Sequence, residues 1–195
     1  MAKRTGTKVI TNEARMSYAH VFEPTTAPGA TQAKYSVSIL IPKSDKETIK
    51  LVRAAIAEAA EEGKAKFNGK VPANLKTPLR DGDEEREDDP VYAGHYFINA
   101  NSNHKPGLVK KGPAGGMIEI TDEDDFYSGC YAKAAINFYA FNTNGNKGVA
   151  AGLGNLLKTR DGDRLGGGAS AESDFADEFD DNDYDDDGDD DDLLG

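Results

Sequence analysis

The sequence predicts a mainly β fold: a small Greek-key barrel with one main helix after the third strand, plus a disordered acidic tail. Three observations predict it. Cys130–Phe141, CYAKAAINFYAF, alternates with the period of a strand. Lys34–Pro42, KYSVSILIP, alternates in the same way and closes on proline. Between them, residues 44–63 switch to helical spacing. An open α+β sheet is the main alternative.

Taken in order, residues 1–8 are basic, with Lys3, Arg4 and Lys8 ahead of the apolar pair Val9-Ile10, and are expected to fray. Glu13–Phe22 reads as a strand with Met16, Tyr18, His20 and Phe22 on one side, and Thr25–Gln32 as a loop. In Lys34–Pro42, Tyr35, Val37, Ile39 and Ile41 alternate with Ser36, Ser38 and Leu40. Ser44-Asp45-Lys46-Glu47 has the form of a capping box, with Ser44 as the cap. Ile49, Val52, Ile56 and Ala59 then form one apolar stripe, and Gly63 ends the helix. Lys64–Val91 is polar and turn-rich, a long loop open to a ligand. Tyr92–Asn101 is a strand with Phe97 and Asn99 opposite Tyr96, Ile98 and Ala100. Asn103–Gly116 is a basic loop suited to phosphates, and Met117–Ile120 a short strand. After the central strand come a turn-rich loop at Asn142–Gly148 and an expected short helix at Val149–Lys158. Gly166-Gly167-Gly168 reads as a hinge. The expected domains are 1–166, an oligonucleotide-binding (OB) type barrel, and 167–195, the tail.

The net charge of −12 divides unevenly. Residues 172–195 hold 14 acids and no Lys or Arg, which leaves 21 acids against 23 bases in residues 1–171. The body is therefore slightly basic, and the acidity of the whole chain does not oppose nucleic-acid binding. The single cysteine, Cys130, lies on the apolar face of its strand, which fits a small buried hydrophobe in a reducing cytoplasm. No run of about 20 apolar residues and no charged-then-apolar leader is present, so neither a membrane span nor a signal peptide is expected.

Enzyme motifs fail on inspection. Gly152-Leu153-Gly154 starts a dinucleotide fingerprint, but Leu157 stands at the third glycine position. Asp183, Asp185, Asp187 and Gly188 have calcium-loop spacing, but Leu194 stands where a bidentate Glu is required. His20, His95 and His104 lie far apart. Asp81, Asp83 and Glu84 could hold a metal in a phosphate-handling enzyme, although an exposed charged loop is the commoner explanation. No cofactor is expected and no enzyme.

The central strand carries the functional signal. One face, Cys130, Ala132, Ala134, Ile136, Phe138 and Ala140, is apolar. The other, Tyr131, Lys133, Ala135, Asn137, Tyr139 and Phe141, mixes rings, a cation and an amide. Such a face suits single-stranded nucleic acid, whose bases offer π-faces and whose linkages are anionic. Packing against a neighbouring element or second subunit is the other reading. The tail, ASAESDFADEFDDNDYDDDGDDDDLLG, is too acidic to fold alone. Phe175, Phe179 and Tyr184 spaced through the acids make it a mimic of a single strand, able to cover a basic groove or to engage basic partners. A chain acting only as a DNA mimic or adaptor through this tail is the alternative function.

On ARMSYAHVFEP, KYSVSILIPKSDKETI, PLRDGDE, HYFINANS, YSGCYAKAAINFYAF and the final acidic run, the chain resembles phage-encoded single-stranded-DNA-binding proteins of the podophage replication type and relatives, with an OB-fold and an acidic C-terminal tail. The resemblance implies single-stranded DNA binding in phage replication, recombination and repair. It also implies contact with DNA polymerase and helicase or primase through the tail, allows a homodimer, and places the protein in the host cytoplasm. Tyr131, Tyr139 and Phe141 are the expected stacking residues. Lys133, Lys105 and Lys147 are expected at phosphates and Asn137 at a base edge. Lys34, Lys43, Arg80, Tyr92 and Phe97 form a second rank.

Overall fold

The structure, a computed structural model, describes residues 1–165. The glycine hinge and the acidic tail lie outside the described residues. A hairpin opens the chain, β1 (Lys3–Thr5) and β2 (Lys8–Ile10), followed by the long strands β3 (Ala14–Thr25) and β4 (Lys34–Pro42). Helix α1 (Lys46–Glu62), a 3-10 turn (Lys64–Phe67), the short strand β5 (Arg80–Asp81) and the one-turn helix α2 (Gly82–Glu85) come next. The strands β6 (His95–Ser102), β7 (Leu108–Lys111), β8 (Met117–Glu119), β9 (Tyr131–Thr143) and β10 (Asn146–Arg160) complete the described chain.

Five of these strands close into a barrel in the order β3-β4-β6-β10-β9, with β9 paired to both β10 and β3. β6 and β10 run parallel, and the other barrel pairs are antiparallel. This is the closed Greek-key barrel of the OB type, which leaves its five central strands no free edge. The β1-β2 hairpin extends the sheet beyond β9, and β7 and β8 extend it beyond β10.

The alternation of β9 survives intact. Cys130, Ala132, Ala134, Ile136, Phe138 and Ala140 are all buried, while Asn137 and Tyr139 are exposed. Small residues at four of the six inward positions leave space for α1, whose Ile49, Val52, Ile56 and Ala59 enter the same core. Each of the larger ones contributes about 1.5–3 kcal/mol when fully buried. Gly63 follows the helix because the chain passes against β9 there: a Cβ would come within 2.3 Å of the Ala140 methyl.

Four local expectations are corrected. Residues 3–10 form a hairpin tied down by the Arg4–Glu58 ion pair and by the Ala2 amide donating to Glu47, rather than a frayed arm. The helix cap is Asp45, whose carboxylate accepts from the Thr48 amide, because Asn12 also donates to that carboxylate and holds it in place. Glu47 meets Ala2 and Asn12 instead of closing a capping box. Val149–Lys158 lies in a strand rather than a helix. Asn144-Gly145, with φ of 52° and 84°, makes a two-residue hairpin turn, and the pairing with β9 runs from it to Arg160 with register shifts after Leu153 and after Lys158.

Candidate nucleic-acid interface

A transverse row of residues on the outside of the barrel follows from the strand registers. Asn137 of β9 is paired with Gly152 of β10, Gly152 with Asn101 of β6, Asn101 with Ser36 of β4, and Ser36 with His20 of β3. Each of the five flanks a core position, Ile136, Ala151, Ala100, Val37 or Val21, so period two turns each outward. No apolar side chain interrupts the row. At about 4.8 Å per strand it crosses roughly 19 Å of barrel wall. Beside it the register aligns Asn99, Ser38 and Ser17, but Ser38 and Ser17 are buried, Ser38 accepting from the Tyr92 hydroxyl.

Rings stand at the β9 end. Tyr139 is 43% exposed, and its ring edge lies 3.7 Å from where a Cβ of Gly152 would sit. Phe141 lies over Gly148, where a Cβ would meet ring carbons at 2.8 Å. Gly148, directly opposite Phe141, and Gly152, diagonal to Tyr139, leave room for each ring against the sheet, with Tyr139 exposed and Phe141 half-buried. Tyr139, Phe141, Asn142, Thr143 and Lys66 line one shallow open groove. Lys8, opposite Asn137, adds a cation on the β2 side.

The other expected site residues divide by what holds them. Tyr131 shares the outward face, but the Arg160 guanidinium sits 3.6 Å from its ring centroid and Arg15 lies 5.7 Å away, so one ring face is already stacked. Arg160 is in turn held by Glu13, whose carboxyl is kept below the usual range by the Thr159 hydroxyl and by Arg160. Lys133, Lys147 and Lys34 make no ion pair among the described residues. Lys105 lies over the Phe22 ring at 5.4 Å, near the β3-β4 end where Lys34 pairs with Thr25.

Two expected cations are neutralised internally. Lys43 bonds Asp81 at 2.8 Å and Asp83 at 2.7 Å, and those hydrogen bonds raise its pKa. The same bonds lower both carboxyls, so Asp81 and Asp83 are committed to Lys43 rather than open to a metal. Arg80 pairs with Glu85 and lies over Phe97. Among the described residues no group of three or more His, Cys, Asp and Glu is arranged for a metal, and no helix is long and apolar enough to cross a membrane.

Tyr92 and Phe97 are corrected as stacking residues. They are 1% and 0% exposed and pack edge to face, 5.1 Å apart, over Leu40. The Tyr92 hydroxyl donates to Ser38. Phe97 does point outward from β6, as its alternation indicates, but the 82–92 segment folds over it. Gly82 allows that approach, since a Cβ there would meet the Tyr92 carbonyl at 2.3 Å.

The polar row was missed because no residue of it is distinctive alone. The available signal was the Ser36, Ser38 and Asn99, Asn101 alternation in strands whose other face is apolar. A lipid-like or protein-packed outer face would carry apolar residues at those positions.

A family model described as Enterobacter phage Enc34, ssDNA-binding protein, matches residues 7–188. The chain belongs to this phage single-stranded-DNA-binding family. The chain is also similar to the protein p50 of Acyrthosiphon pisum secondary endosymbiont phage 1, at 33% identity over 181 residues, covering 89% of this chain and 93% of that one. Its fold is that of the single-stranded DNA-binding protein from bacteriophage Enc34, solved in complex with ssDNA, with a TM-score of 0.71 at 22% identity over 85% of this chain and 97% of that one. A C-terminally truncated form of the Enc34 protein matches with a TM-score of 0.68, over 84% and 95%.

Proposed function

We propose that this protein binds single-stranded DNA, without strong sequence preference, along the polar row on the outside of its barrel. The observation that carries the reading is the placement of Tyr139 and Phe141, rings seated against Gly152 and Gly148 at the end of a row of small polar residues. Family membership makes the chain a binding protein and not an enzyme. Stacking supplies sequence-tolerant affinity of about 1–3 kcal/mol per base. Tyr139 and Phe141 are the first stacking residues, with Tyr131 joining once Arg160 turns toward a phosphate. Asn137, Asn101 and Ser36 offer hydrogen bonds to base edges as the strand crosses the wall. Lys133, Lys147, Lys34 and Lys105 meet phosphates, whereas Lys43 and Arg80 serve to hold the 80–86 segment in place.

The biological setting is phage DNA replication in the host cytoplasm, with recombination and repair as further uses of the same binding. The acidic tail competes with DNA for the row and recruits polymerase and helicase or primase, and a homodimer is compatible with this use. The test is a fluorescence-polarisation titration of labelled oligo-dT at several salt concentrations, using the full chain and residues 1–168. Salt-dependent binding, tighter without the tail at low salt, is the expected result. Absence of salt-dependent binding in both forms overturns the reading.

A further inference from the structure

The β3 strand breaks its pairing with β4 between Ser17 and His20, and Tyr18 sits in the break. Its φ of 46° puts a bulky residue in the left-handed region, an uncommon and strained conformation. Burial does not explain the conformation, because Tyr18 is 54% exposed. The strain instead turns an aromatic ring out of the barrel wall, next to the His20 end of the polar row. The Ser128 hydroxyl takes the amide of Ala19 that the bulge releases, so the distortion is built in.

Arg86 stands beside this ring. Its guanidinium carbon lies 5.9 Å from the centroid of Tyr18, 5.3 Å from that of Tyr92 and 5.8 Å from that of Phe97. The two buried rings form a fixed base on which the cation rests. Although Glu84, Glu85, Glu87 and Asp88 are close in sequence, Arg86 makes no ion pair among the described residues. Arg80 on the same segment, and Lys43, which reaches that segment from the end of β4, are both paired. Asp81, Asp83 and Glu85 are used on those two cations, Glu84, Glu87 and Asp88 stay exposed without an ion pair among the described residues, and Arg86 rests on aromatic carbon rather than on any of them.

We infer that Tyr18 and Arg86 form a second nucleotide subsite, at the end of the row opposite Tyr139: a base stacks on Tyr18 and its phosphate is bonded by Arg86. The inference rests on the single-stranded-DNA reading above and extends it to the β3 bulge. It makes the bound strand span the barrel wall from one ring cluster to the other. Arginine suits this role because its planar fork stacks on rings and bonds phosphate at once.

The test compares the full-length wild type with Tyr18→Gly, Arg86→Gln and Arg86→Lys in oligo-dT titrations over a salt series, with thermal denaturation alongside. Tyr18→Gly removes the ring and relieves the backbone, so Tm is expected to hold or rise while affinity falls about 5- to 100-fold. Its salt slope stays that of the wild type. Arg86→Gln lowers the slope of log K against log salt by about 0.7, one phosphate's share on a single strand, and Arg86→Lys restores it. Binding of all three variants within twofold of a DNA-binding wild type, with one common slope, overturns the subsite and leaves the parent reading standing. A wild type that binds no oligonucleotide overturns both.

Discussion

The ring of Phe141 on β9 lies across Gly148 on β10, so near that a Cβ at position 148 would come within 2.8 Å of two ring carbons. The Lys76 carbonyl closes the same space from the other side, also at 2.8 Å. One glycine therefore seats a candidate stacking ring and lets the 76 loop bridge to the hairpin. Gly148→Ala is expected to cost about 1–3 kcal/mol of stability, since backbone as well as ring has to shift. Chemical denaturation of the variant and the wild type checks this.

Gly152 occupies the middle of the polar row and behaves differently. A Cβ there meets the Tyr139 ring at an ordinary 3.7 Å and the Asn137 carbonyl at a tighter 3.2 Å. Gly152→Val should keep the fold within about 1 kcal/mol, because valine suits a strand and its side chain projects outward. The isopropyl group then blocks the row, and oligo-dT affinity is expected to drop at least tenfold. Unchanged affinity would move the DNA path off β10.

Tyr139 and Tyr92 separate binding from folding. Tyr139→Ala should leave Tm nearly unchanged and weaken oligo-dT binding by about 1–3 kcal/mol. Tyr92→Phe should do the reverse. It leaves DNA binding intact and costs about 0.5–1.5 kcal/mol of stability by removing the buried hydroxyl that donates to Ser38. Paired titration and melting experiments on the two variants check both statements.

The Lys43–Asp81–Asp83 cluster sets a pH dependence. Both carboxyls are lowered by their bonds to Lys43, so the stability they confer is complete above about pH 4, the unfolded carboxylate range, and drains as pH falls through their lower folded values. The ammonium is raised, so its contribution is complete below about pH 10 and fades above that. A flat plateau between is expected from this cluster. Lys43→Met should shallow the acid limb of a Tm-against-pH curve, and an acid limb unchanged by the substitution would show that other carboxylates control it.

How much of this was legible depended on how local the cause was. β9 is readable because every inward position is small or apolar while the outward ones mix rings, a cation and an amide, a consequence of one strand with one buried face. β10 was not, because Gly152, Gly154 and the adjacent Ala150-Ala151 erase the alternation, and Leu156-Leu157 mimics a helical stripe. Its strand identity comes from the Asn144-Gly145 turn and the partner strand. Phe97 was assigned to the right face of β6, but its burial depends on a segment that crosses it from outside the strand. The polar row needed five strands in register, which no single stretch encodes. Arg86 sits in a loop whose many acids disguise it.

Photo-cross-linking of the full-length protein to oligonucleotides carrying 5-iododeoxyuridine, with the modified peptides identified by mass spectrometry, tests the central claim most directly. The account expects cross-links on outward residues of the barrel wall, with Tyr139 and Phe141 prominent and competed away by unlabelled oligo-dT. Competed cross-links confined to the outer hairpins β1-β2 and β7-β8, with none on β9, β10, β6, β4 or β3, would contradict it.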